Sequence, residues 1–377
     1  MKPKASPIKD RQRQLFSIEL SKLVNPSHPM VKLAKAIDWD RLDEVFGKTY
    51  CPNKGRPGIS TRLMVALHYL KYTYNLSDEA VVEGWIENPY WQYFSGMKYF
   101  EHEFPIDPSS MTRWRKRIKE SGAEELLKET ISAGLRLKAI NASYLKRVNV
   151  DTTVQEKSIR YPTYARLYDR ARARLVKLAK ARGINLRQNY NRLSRKMLIQ
   201  QSRYARARQM KRAFKCTQKL RVWLGRVIRD IERKCPKPDE ELSSLLKISK
   251  RIYFQKKQDK DKIYSVHESH VECISKGKSH KRYEFGCKVS VAATSRGGWF
   301  VGAKAFHGNP YDGHTLAEAL KQIERLSQRP DHVFVDQGYR GHNYKSGEIE
   351  VHVYRSHRGR IAKSLWKWMK RRAAIEP

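Results

Sequence analysis

Acidic residues are scarce in this chain: 38 Asp and Glu stand against 78 Lys and Arg, a formal net charge of +40. The shortage excludes a molecule whose charges balance internally. It points to a polyanionic partner, most simply DNA or RNA, with a ribosome-associated protein or a binder of anionic membranes as the plainer readings. Cysteine is also sparse. The five residues Cys51, Cys216, Cys235, Cys273 and Cys287 are scattered, odd in number and without a CxxC pair. That excludes a disulfide framework and fits a reducing, cytoplasmic location. Long apolar runs are missing: nothing approaches the roughly 18 residues of a membrane span, and no charged-then-apolar signal opens the chain. Membrane insertion and secretion are therefore not expected. What is present, 40% hydrophobic residues, suffices for buried cores in about two or three domains.

Up to about Asn141 the pattern is helical. Ser60-Thr61 opens an apolar-periodic segment that Asn75 interrupts, and Ser77 reads as an N-cap with Asp78 and Glu79 in the first turn. Asn88-Pro89 should stop that helix, and Asp107-Pro108 should start another. In this last helix Met111, Trp114 and Ile118 share a face, while Arg113, Lys116 and Arg117 lie away from it. A helix-turn-helix reader presents DNA with such a basic outer face, and so does an ordinary solvated helix.

The period changes at Val148–Val154, where Val148, Val150 and Val154 alternate with Asn149, Asp151 and Thr153 as in a strand. Lys157–Lys237 then carries 26 Lys and Arg against three acids, with tyrosines interleaved. Arg170 and Arg174, or Arg203 and Arg206, would line helical faces, packed through Leu175, Leu224, Val227 and Ile231. A run so one-sided repels itself unless a polyanion neutralises it, so DNA contact is expected here. Strands return at Tyr283–Ala293 and Trp299–Phe306, joined at Gly297-Gly298. A helix runs from Tyr311 to about Leu326. The apolar run Val333-Phe334-Val335 then delivers Asp336 at its end, Ile349–Tyr354 alternates as a further strand, and Ala362–Glu376 reads as a basic amphipathic helix. The expected class is α/β, with a long insertion after the first strand.

Carboxylates at element ends suit phosphodiester transfer, which uses two divalent cations roughly 3.5–4 Å apart. Mg²⁺ (or Mn²⁺) prefers oxygen ligands and keeps several waters, so a few acids from different elements suffice. Asp151 and Asp336 would be neighbours if their strands pair, and Glu376 offers a third acid, with Arg372 four residues earlier. Each acid alone reads equally as a surface carboxylate. His267, His270, Cys273, His280 and Cys287 could suggest zinc, but their spacing fits no standard finger. His280, Lys281 and Lys288 read more simply as contacts to DNA phosphates or as the site's rim.

Five segments in order, Val150–Gln155, Tyr283–Gly286 with Lys288, His307–Asp312, Asp336–Gly341 and Arg371–Pro377, resemble DDE transposases of bacterial insertion sequences, nearest the insertion-sequence-5-type (InsH-like) branch. The resemblance spans nearly the whole chain. It implies an RNase H-like mixed-sheet catalytic core over 142–377 with a basic helical insertion over 156–262, preceded by an all-α helix-turn-helix-type DNA-binding domain over 1–141. Asp151, Asp336 and Glu376 would be the metal ligands and Arg372 the accompanying basic residue. Arg113, Arg115, Lys116, Arg117, Arg170 and Arg174 would contact double-stranded DNA, as would Arg203, Arg206, His280, Lys281 and Lys288. A homodimer on DNA and a bacterial cytoplasmic, nucleoid-associated location are implied as well. Two departures stand out: Met369 takes the place of a tyrosine three positions before the arginine, and the lysine two turns beyond the glutamate is absent because the chain ends at Pro377. The expectation from this ending is a truncated product, either an active transposase or a catalytically impaired repressor that keeps the DNA-binding regions. A nuclease of related fold acting on RNA is the third reading.

Overall fold

Short polar residues set most of the N-terminal helix boundaries. The computed structural model describes residues 18–51, 58–275, 282–355 and 361–375. Its first helices are α1 (Leu20–Leu23), α2 (Pro29–Ala36), α3 (Trp39–Gly47), α4 (Thr61–Thr73), α5 (Asp78–Glu87), α6 (Pro89–Phe94) and α7 (Ser109–Arg136). Asp38 Oδ1 accepts from Arg41 N at 3.0 Å and Ser77 Oγ from Ala80 N at 3.0 Å, each satisfying an otherwise orphaned amide. Asn88-Pro89 does more than stop α5. Asn88 Oδ1 accepts from Tyr90 N and Trp91 N at 3.0 and 3.1 Å, so the same dipeptide caps α6 at once. Asp107 Oδ1 accepts from Ser109 N at 2.8 Å at the head of α7, which breaks at Lys119 (φ 56, ψ −159). Leu67, Val81, Trp85, Phe94 and Met111 form the core these helices share, each at most 1% exposed.

The chain continues through β1 (Arg147–Glu156), α8 (Tyr164–Ala181), α9 (Asn191–Arg206), α10 (Met210–Lys234), α11 (Glu240–Phe254), β2 (Glu272–Ile274), β3 (Glu284–Thr294), β4 (Phe300–Phe306), α12 (Asp312–Leu326), β5 (His332–Val335), β6 (Glu350–Val353) and α13 (Lys363–Arg371). It divides into two compact units: Met1–Asp151 with Ser290–Lys304 and Tyr311–Pro377, and Thr152–Val289 with Ala305–Pro310.

In the first unit the strand order is β3-β1-β5-β6, and β4 pairs with β3 through the turn at Gly297 (φ 85) and Gly298 (φ 66). β5 runs parallel to both β1 and β6, which gives the mixed α/β architecture. Val148, Val150, Val333 and Val335 pack against Leu316, Leu320 and Ile323 of α12, an apolar layer worth about 1.5–3 kcal/mol per side chain. Gln322 and Arg325 of α12 reach Glu124 of α7 at 2.7 and 3.1 Å. Asn149, expected on the more polar face of β1, is only 3% exposed. Its burial is possible because its amide accepts from Ser295 Oγ (2.7 Å) and donates to Arg371 O (3.4 Å). α13 stops at Arg371, short of the helix expected to Glu376, and tightens into a 3-10 turn over Arg372–Ile375, a common way for a helix to end.

The second unit is built on α8–α11. Leu175, Leu224, Val227 and Ile231 are at most 1% exposed in its core, which anchors an otherwise cationic segment. The three acids of Lys157–Lys237 are engaged locally: Asp169 with Arg172 (2.9 Å), Asp230 with Arg233 (2.5 Å), and Glu232 with Lys250. β2, which the sequence pattern did not reveal, pairs antiparallel with the start of β3. Three residues are too few to show an alternation. Among the described residues, no helix is long and apolar enough to cross a membrane.

Candidate active site

The site grows out of strand register. Arg147, Val148 and Asn149 of β1 pair with His332, Val333 and Phe334 of β5. The same offset carried two residues further sets Asp151 opposite Asp336, on strands roughly 4.8 Å apart. Val333, Phe334 and Val335 are at most 1% exposed, so β5 cannot slip without expelling its whole apolar run. Asp336 then begins a 3-10 turn, Gln337–Tyr339, that folds the chain back under the carboxylates.

A third acid, Asp312, joins from the first turn of α12. A Cβ built on Gly338 would lie 2.9 Å from Asp312 Oδ2 and 3.0 Å from Asp336 Oδ1, so both carboxylates crowd one point. The turn is tied to the head of α12 by Tyr311 Oη donating to Arg340 O (2.8 Å) and Asn343 N donating to Gly313 O (3.0 Å). In the sequence Asp312 stands at a helix opening and ends the His307–Asp312 segment, with no role at the site attached to it. Tyr339, within the Asp336–Gly341 segment, is fully buried and likewise carries no role legible in the sequence alone. Burial raises the Tyr339 phenol well above its ordinary value, and the negative charges of Asp151, Asp312 and Asp336 push it further the same way.

Arg372 approaches from the turn after α13. Its Nη1 lies 3.4 Å from Asp151 Oδ2, with the two side chains 14% and 13% exposed, and its guanidinium sits 5.6 Å from the centre of the Tyr354 ring. Asp151, Asp336 and Arg372 are thus brought together within the first unit, while Glu376 lies outside the described residues. His267 and His270 contact Arg170 (3.2 Å) and Glu268 (3.1 Å). Among the described residues, His267, His270, Cys273 and Cys287 form no convergent metal-binding group. His280 lies outside them.

Residues 18–117 match the transposase domain (DUF772) family, and residues 251–377 match the transposase DDE domain family. Over 198 residues the chain is 52% identical to the uncharacterized protein ORF8 in the nfe locus of Rhizobium meliloti, an alignment covering 52% of this chain and 95% of that protein. The chain belongs to the DDE transposases of insertion sequences. No solved structure matches it.

The transposase displays its cations on several surfaces. Arg113, Lys116 and Arg117 are exposed on α7, with Arg117 4.4 Å from the Tyr50 ring centre. Arg115 instead grips Asp78 with both guanidinium nitrogens, at 2.9 and 2.5 Å. In the second unit Arg170, Arg203 and Arg206 are exposed, Arg174 donates to Val266 O (2.8 Å), and Lys288 Nζ donates to Pro310 O (2.7 Å). Lys281 lies outside the described residues. Arg226, Arg229 and Arg233, not singled out in the sequence, are spaced along one face of α10 and border an open groove of about 540 Å³ with Arg187 and Tyr190. Their three- and four-residue spacing was the available signal.

Proposed function

We propose that this transposase binds the terminal inverted repeats of its element, hydrolyses the 3′ strand at each end and joins it to target DNA, with Mg²⁺ or Mn²⁺ held by Asp151, Asp336 and Glu376. The observation that carries the reading is the β1–β5 register, which sets two carboxylates side by side with Arg372 against one of them. The donor set suits a hard cation: carboxylate oxygens of Asp312 and Asp336 meet beside Gly338, and Asp151 is near enough to act with them on the Tyr339 phenol. Bound cations supply activation of the attacking oxygen and stabilisation of the leaving one.

The protein's own side chains do the positioning. Arg372 orients the Asp151 carboxylate and offsets part of the site's negative charge. The buried Tyr339 fixes the turn that follows Asp336, and Asp312 adds to the field that draws a cation in. In this reading the sheet is an RNase H-like core, α1–α7 a helix-turn-helix-type domain with the outer face of α7 on DNA, and α8–α11 a basic insertion that tracks phosphates. The resemblance to the insertion-sequence-5-type (InsH-like) branch supports a homodimer on paired ends and a cytoplasmic location. The test is cleavage of labelled inverted-repeat DNA with Mg²⁺. Asp336→Asn should bind the DNA normally and cut it at least about 10²–10³-fold more slowly. Cutting at the wild-type rate would overturn the assignment.

A further inference from the structure

β5 and β6 carry a second cluster, of different chemistry from the acidic site. Their parallel register pairs His332 with Glu350 and Phe334 with His352. His332 Nδ1 lies 3.2 Å from His352 Nε2 and 3.0 Å from Glu350 Oε2, and His352 Nε2 lies 3.8 Å from the same oxygen. Among the described residues, this is the group of histidine, cysteine and acidic ligand atoms that converges, all within 4.8 Å of one another.

We propose that His332 Nδ1, His352 Nε2 and Glu350 Oε2 form a binding site for a divalent transition metal of the zinc class, clamping β6 to β5. Three features support the assignment. The first is size: ligands 2.0–2.1 Å from a tetrahedral ion are roughly 3.3 Å from one another, and the three observed edges, 3.0, 3.2 and 3.8 Å, bracket that value. The second is ligand type. Two imidazoles and one carboxylate match zinc, cobalt or nickel and are a poor set for Mg²⁺. The third is preorganisation. The Phe334 ring stacks on His352 at 5.0 Å and 22°, so the imidazole plane is held before any ion arrives. A single proton bridges two of these three atoms, whereas one cation takes lone pairs from all three.

Exposure supplies both grip and access. The His352 side chain is 9% exposed, His332 is 32% and Glu350 is 65%, so the fourth coordination position opens toward solvent on the Glu350 side. His332 and Glu350 lie four residues, roughly 13 Å of strand, from Asp336, while His352 is level with Phe334, two residues before it. A cation here would tie the short outer strand β6 to the strand that ends at Asp336. It would do so without entering the acidic site.

The experiment uses the full chain, stripped with a chelator and dialysed against excess Mg²⁺, then titrated with Zn²⁺ and with Co²⁺. One equivalent should bind, Co²⁺ should develop the intense visible absorption of tetrahedral N/O coordination, and the melting temperature should rise. Glu350→Gln changes an exposed side chain, leaves the fold intact and should weaken binding by more than the roughly 10–100-fold that loss of an outer hydrogen-bond partner costs. His332→Ala and His352→Ala should abolish binding. If His352→Ala fails to fold, His332→Ala and Glu350→Gln still decide the question. Absence of stoichiometric binding by the wild type would make the cluster a hydrogen-bonded one and overturn the proposal. Binding that persists undiminished in His332→Ala would place the ion elsewhere and overturn it equally.

Discussion

Gly338→Ala separates the chemistry of the acidic site from the stability of the fold. Gly338 is not in the left-handed backbone region, so alanine meets no φ penalty. In a compatible conformation the replacement restricts the unfolded chain and contributes about 0.4–1 kcal/mol of stability. Against this, the new methyl would stand 2.9 Å from Asp312 Oδ2 and 3.0 Å from Asp336 Oδ1, where ordinary contacts begin near 3.4 Å. Each carboxylate must therefore retreat by about 0.4–0.5 Å, and side-chain ends can do so cheaply. The net change in stability should fall within about 1 kcal/mol of zero. Reactivity is less forgiving: a misplacement of about 1 Å can cost 10²-fold, so half of that should cost on the order of tenfold. The assay is Mg²⁺-dependent cleavage of end-labelled inverted-repeat DNA, read beside thermal denaturation of the same samples. A variant that cuts within a factor of two of wild type refutes the claim that these two carboxylates work at the reacting centre. A loss of cutting matched by several kcal/mol of destabilisation would assign the effect to folding instead.

The remaining expectations concern charge. Arg372→Ala leaves Asp151, only 13% exposed, without its closest described cation, and should cost about 1–3 kcal/mol by chemical denaturation; a change near zero would mean the pair is not formed. His68 is buried against Trp114 with Nδ1 2.7 Å from Met64 O, and burial, aided by Arg115, holds its pKa down to about 4 from 6.5. The folded state thus resists a proton that the unfolded chain accepts. Stability should be full above about pH 6.5 and fall by about 3 kcal/mol on acidification to pH 4, and His68→Gln should remove that slope. Replacing Arg226, Arg229 and Arg233 together by alanine should weaken binding evenly across DNA sequences and reduce the salt dependence of log K by about one unit per residue; an unchanged slope would take the α10 groove out of the interface.

Much of the chain's architecture could be read from side-chain period and punctuation. The apolar run before Asp336, the diglycine turn and the Ser77 cap each have a local cause, and each is found where that cause puts it. What could not be read depends on partners distant in sequence. Asn149 alternates as a polar residue yet is buried, because Ser295 and the carbonyl of Arg371, both more than a hundred residues away, satisfy its amide. Arg115 looked like one more cation on an outward face of α7. Asp78, 37 residues earlier, captures it instead.

Asp312 shows the same limit at the site itself. An acid in the first turn of a helix has a sufficient local explanation, since it faces the positive end of the macrodipole. That explanation conceals a second role, because nothing near Asp312 in sequence reveals that the turn after Asp336 folds back onto the head of α12. The tie is made by Tyr311 to Arg340 and by Asn343 to Gly313, and its geometry sets residue 338 between two carboxylates. A glycine two residues after a strand-terminal aspartate, in a chain so short of acids, was therefore the available clue. It marked a place where a side chain would have collided with a negative charge arriving from elsewhere in the fold.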